Sequence, residues 1–96
     1  MTNINILYDG HYDDVDIISI PSNIVECINV LGQEYLDWVP PEDDSDSWVV
    51  INNKRCMSKD AVGFVKWLNS TCCLNNKSFV VEKNVPFCKK YPTVEF

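Results

Sequence analysis

No lysine or arginine occurs before Lys54, whereas the same stretch carries Asp9, Asp13, Asp14, Asp16, Glu26, Glu34, Asp37, Glu42, Asp43, Asp44 and Asp46. All eight basic residues come later, against only Asp60, Glu82 and Glu95, so the 96-residue chain has a net charge of −6 and a pI near 4.5. A block of one sign repels itself unless folding returns the later cations to it, or a positively charged partner meets it. The same acidity argues against nucleic acid as a direct ligand, since phosphate binding calls for the opposite sign. Glycine is scarce as well: Gly10, Gly32 and Gly63 stand alone, which rules out a glycine-rich phosphate loop. The single histidine, His11, and the lack of any C-x-x-C pair leave a tetrahedral zinc site only scattered thiols to draw on, so no metal and no cofactor are expected. Cys27, Cys56, Cys72, Cys73 and Cys88 are odd in number, and adjacent Cys72 and Cys73 have poor geometry for a mutual disulfide. They read as reduced, buried small hydrophobes of a cytoplasmic protein. There is no basic N-terminal region and no run near the ~20 apolar residues of a membrane span, so the expectation is a soluble, unexported chain with no membrane partner.

What is present suits one α+β domain over 1–96, able to bury roughly 60–70% of its unfolded surface. Residues 3–8 and Val15 to Ile20 read as strands joined at Asp9-Gly10. Pro21 ends the second strand, and Asn23 with Glu26 has the spacing of a capping box, opening a first helix over about 22–37. Ile24, Ile28, Leu31 and Tyr35 form its apolar stripe opposite Asn29, Gln33 and Asp37. Gly32 costs this helix about 1 kcal/mol relative to Ala, which signals close packing or a weaker helix. After Pro40-Pro41 and an acidic loop, Trp48 to Ile51 and Lys54 to Met57 read as a hairpin about Asn52-Asn53. Ser58 is the expected cap of a second helix over about 58–70, with Ala61, Phe64, Val65 and Leu68 inward. Residues 77–82 and part of 89–96 supply further strands, the last confined by Pro92 to an edge or a strand start. The order predicts an antiparallel sheet of about 4–6 strands, burying Trp48, Phe79 and Val81, with both helices on one face.

Catalytic machinery is sparse, and no catalytic residue is assigned. His11 lies among carboxylates, but the segment lacks the order of a calcium loop and has no nucleophile beside it, so it reads as a solvated turn and a pH-sensitive contact. Cys56 beside Lys54 and Arg55, and Cys88 before Lys89, have basic neighbours but neither a helix N-terminus nor a general base. The acidic clusters are the more informative feature. Asp9, Asp13, Asp14 and Asp16 with Tyr12, and Glu42, Asp43, Asp44 and Asp46 between Trp38 and Trp48, combine aromatic anchors with charge, as protein interfaces do. These eight acids and Tyr12 are the candidate partner-binding residues.

Small size, reduced thiols, acidity and the stretches VDIISIPSNIVECINVLGQEYLDW and CMSKDAVGFVKWLN give the chain a general resemblance to the immunity proteins of bacterial polymorphic toxin systems, including contact-dependent growth inhibition. That resemblance implies a stoichiometric inhibitor, not an enzyme. It implies a 1:1 complex with a cognate basic nuclease toxin, an RNase favoured, whose active site would be covered by carboxylates in place of phosphates. Two other readings stand beside it: a nucleic-acid mimic that blocks a DNA-binding enzyme, and a small metal- or thiol-dependent enzyme.

Overall fold

Alternation along the first two strands builds the centre of the fold. In the computed structural model, which describes residues 1–72 and 76–96, β1 (Thr2–Leu7) pairs antiparallel with β2 (Val15–Ile20), and every β2 residue is buried. Ile4, Ile6, Ile18 and Ile20 face the helices, while Leu7, Val15 and Ile17 face the other way and form a second cluster. A strand buried on both sides carries apolar residues at both parities, which the sequence VDIISI supplies. β5 (Phe79–Val85) pairs antiparallel with β2, and β6 (Thr93–Glu95) parallel with β1, giving the order β5-β2-β1-β6.

The sheet is therefore mixed, not wholly antiparallel. β5 and β6 run in the same direction at opposite edges, so residues 86–92 must cross a face. They cross the one opposite the helices, where Phe87 and Tyr91 cover Leu7, Val15 and Ile17. Buried Asn5 fastens them: its amide nitrogen donates to the Cys88 carbonyl at 2.8 Å and the Tyr91 carbonyl at 3.2 Å, and its oxygen accepts from the Cys88 N–H. A buried amide satisfied this way fixes the crossover, because any other path would strand its polar atoms.

The first helical region is two elements. Ser22–Cys27 is a 3-10 turn without a side-chain cap, and α1 follows over Ile28–Asp37. The expected capping box does not form; the Ser22 hydroxyl instead lies 2.6 Å from the Thr2 hydroxyl. Ile24, Ile28 and Tyr35 are buried as the stripe predicts, with Leu31 packed at the margin. The second helix, α2, is Ala61–Thr71, and its cap is Asp60 rather than Ser58, since Asp60 Oδ1 accepts from the Gly63 N–H at 2.8 Å. Ser58 is used otherwise: its N–H donates to the Ser47 carbonyl, closing the base of the hairpin. Ala61, Phe64, Val65 and Leu68 are buried as expected.

Both helical glycines are contact points. A Cβ on Gly32 would sit 2.7 Å from Val94 Cγ1, and one on Gly63 would overlap the Tyr35 hydroxyl. Close packing, not weakness, explains Gly32.

The hairpin of β3 (Trp48–Ile51) and β4 (Lys54–Met57) forms as read, with Asn52 and Asn53 both at positive φ as a type I′ turn requires. It does not join the main sheet, however, and its extensive contacts are confined to its own strands and the Ser45–Ser47 turn. Trp48 is consequently only half-buried, and Phe79 and Val81 on edge strand β5 are 51% and 42% exposed, so none of the three belongs to the core. Among the described residues no helix is long and apolar enough to cross a membrane.

Candidate functional site

The end of the molecule around Lys59, Asp60 and Ala61 gathers most of the residues of interest. Tyr8, the first residue after β1, donates its hydroxyl proton to Asp16 Oδ2 at 2.7 Å and accepts from the Ala61 N–H at 2.8 Å. Two residues earlier, Lys59 Nζ donates to the Tyr35 and Trp38 carbonyls at 2.7 and 2.5 Å, and lies over the rings of the same two residues. It thereby satisfies carbonyls at the negative end of α1. Burial lowers the Lys59 pKa, with the Asp37 carboxylate opposing the shift. Two loops leave from this point: residues 9–14 directly after Tyr8, and residues 39–47 directly after Trp38. Both acidic clusters therefore emerge from one end of the molecule.

The expected contact residues fall into three groups. Asp9, Asp13, Asp14, Glu42, Asp43 and Asp46 are exposed, as is Tyr12 at 55%, its ring edge-on to Phe87. Asp44 is partly covered, with one oxygen accepting from the Ser47 hydroxyl at 2.9 Å and the other 3.9 Å from Lys66 Nζ. Asp16 is the correction. It is buried, and its carboxylate accepts from the Tyr8 hydroxyl and the Asn84 N–H, so it holds the fold instead of lying on the surface. Asn84 has positive φ where β5 carries extra residues opposite Asp16 and Ile17, and the carboxylate anchors that bulge. The strand pattern contains the signal: Asp16 shares parity with core-facing Ile18 and Ile20.

Pairing between the acidic first part and the later cations is slight. Among the described residues a single ion pair, Lys66 to Asp44, joins them. Arg55 reaches the Glu42 backbone carbonyl and stacks over Trp48 at 4.6 Å, and the Glu42 carboxylate has no ion pair among the described residues. Trp48 Nε1 donates to the Pro41 carbonyl at 2.9 Å, so the hairpin clamps the start of the acidic loop.

Between that loop and α2 runs a groove of about 610 Å³, with Trp38, Val62 and Trp67 as apolar walls and Asp44, Asp46 and Asp60 among its polar ones. Sequence reading did not find it. Its trace was the row Val62, Lys66, Ser70 at i, i+4 and i+8 on the outer face of α2, an apolar residue on an otherwise polar side. Tyr35 lies beneath, 2% exposed against Phe64 and Trp67, and burial raises its pKa to about 12. Tyr8 is shifted upward by burial and by its bond to Asp16. The thiols are not buried as the sequence suggests: among the described residues Cys27 is exposed, and Cys56, Cys72 and Cys88 are only partly covered; Cys73 lies outside the described residues. No protein-family model, curated protein or solved structure matches the chain.

Proposed function

We propose that this chain is an immunity-type binding protein that neutralises a cognate basic nuclease toxin, an RNase foremost, in a 1:1 cytoplasmic complex. The supporting observation is that the carboxylates of the first half, Asp16 and Asp44 apart, stay exposed and have no ion-pair partner among the described residues, with two acidic loops leaving one end of the domain. Leaving like charges together and unpaired opposes the fold, and a cationic partner removes that penalty. Rim carboxylates act mainly on encounter, each worth under about 1 kcal/mol, while a close desolvated pair couples by about 1.5–7 kcal/mol. Two or three of the acids therefore carry most of the affinity. The loop placement of Asp13, Asp14, Glu42, Asp43 and Asp46 favours a local active-site plug over a mimic of duplex phosphates, which would need a long regular row of charges.

The test is co-purification with a basic C-terminal nuclease domain encoded in the adjacent reading frame, followed by affinity measurements at rising salt. Stoichiometric capture, loss of nuclease activity and weakening with salt support the reading. No capture, or capture indifferent to salt, refutes it.

A further inference from the structure

Resting on that reading, we infer that the groove between α2 and the 39–47 loop seats an arginine-bearing segment of the basic partner. Its walls suit a cation that is also flat. Trp38 and Trp67 offer aromatic surface, and Asp44, Asp46 and Asp60 oppose a single ammonium, Lys66. Two of the carboxylates are partly committed, Asp44 to Ser47 and Lys66, and Asp60 to the Gly63 N–H. Asp46 makes no side-chain hydrogen bond or ion pair among the described residues and is exposed. A guanidinium stacks on indole and forks onto a carboxylate, whereas an ammonium is a strongly hydrated point charge. The protein already uses such contacts internally, with Arg55 over Trp48 and Lys59 over Tyr35.

The extent of the surface points to a protein segment as occupant. Ser47 and Ser58, which line the groove, are the residues on either side of the β3–β4 hairpin. That hairpin continues outward with Val49, Val50, Ile51 and Met57, each 39% exposed or more. An apolar ribbon of this kind beside a charged groove fits a peptide chain that runs on past its basic side chain. A second copy of this chain does not fit: it carries the same negative charge, and its one arginine, Arg55, is held by Trp48 and the Glu42 carbonyl.

The probe is the tripeptide acetyl-Gly-Arg-Gly-amide, titrated into the ¹⁵N-labelled full chain, with citrulline replacing arginine as its neutral isostere. The expected result is saturable shifts of the Trp38 and Trp67 indole N–H signals and of the amides at 60–63, absent with citrulline. Asp46→Asn should weaken binding and Val62→Arg should abolish it. Lys66→Ala should strengthen it by about two- to fivefold, more than the charge-matched Lys83→Ala on β5. The spectra themselves report whether each variant is folded. Equal shifts with citrulline, shifts spread evenly over the 9–14 turn, or equal effects of Lys66→Ala and Lys83→Ala would overturn the inference. Should the basic nuclease domain bind wild type and Val62→Arg equally, the groove assignment falls while the proposed function stands.

Discussion

Replacing Gly63 with alanine should destabilise this protein even though alanine is the better helix former. The substitution gains at most about 1 kcal/mol of helix propensity. Against that, the new methyl would overlap the Tyr35 hydroxyl and approach Asp60 Oδ1 to 3.3 Å. Tyr35 has no room to withdraw, being 2% exposed and packed among Phe64, Trp67 and Phe96. Overpacking of this kind costs about 1–3 kcal/mol, and any displacement of Asp60 adds part of a helix cap, about 0.5–2 kcal/mol. The net expectation is a loss of about 1–3 kcal/mol, read in urea unfolding or as a Tm lower by about 4–8 °C for each kcal/mol. Tyr35→Phe supplies the control, because with the oxygen gone the nearest remaining Tyr35 ring atom lies at an ordinary 3.4 Å. In that background Gly63→Ala should be neutral or stabilising, giving a coupling of about 1–3 kcal/mol. Equal effects in both backgrounds, or a more stable single variant, would refute the packing argument.

Asp16→Ala should cost about 2–4 kcal/mol in urea unfolding, since the Asn84 N–H and the Tyr8 hydroxyl proton both lose their acceptor, while a change in partner affinity at unchanged stability would contradict its structural role. Lys59→Met keeps the aliphatic stem but abandons the Tyr35 and Trp38 carbonyls, and should lower stability by about 1–3 kcal/mol; an unchanged midpoint would show that the α1 terminus does not depend on it. Alkaline unfolding should expose the raised tyrosine pKa. Folded Tyr35 holds its proton up to about 12 while the unfolded residue loses it near 10, so this contribution is complete below pH 10 and is lost as pH rises toward 12. Relative to wild type, Tyr35→Phe should lose less stability across that window, and parallel curves would count against the shift.

Local chemistry in the sequence specified the pieces better than their assembly. The α2 stripe and the Asn52-Asn53 turn were legible because helical period and positive-φ preference act within a few residues. The separation of β3–β4 from the main sheet was not, since WVVI reads the same whether or not it has neighbours, and only long-range pairing decides. The parallel β6 was hidden for a similar reason: the staple that places it is one buried amide, Asn5, more than eighty residues away in sequence. At the candidate site, composition located the exposed acidic loops, and alternation in VDIISI already set Asp16 on the helix-facing side. The groove escaped notice because its walls come from three separate segments, around Trp38, around Asp44 and along α2.

The most direct test of the proposed binding role is the association rate with a basic nuclease domain encoded beside this chain, measured across a range of salt concentrations. Wild type should be compared with a variant in which Asp13, Asp14, Glu42, Asp43 and Asp46 are replaced by their amides. Wild type should associate fast at low salt and slow steeply as salt rises, while the variant, equally stable, should be about tenfold slower or more and nearly flat. Identical rates and identical salt slopes for the two proteins would contradict the account.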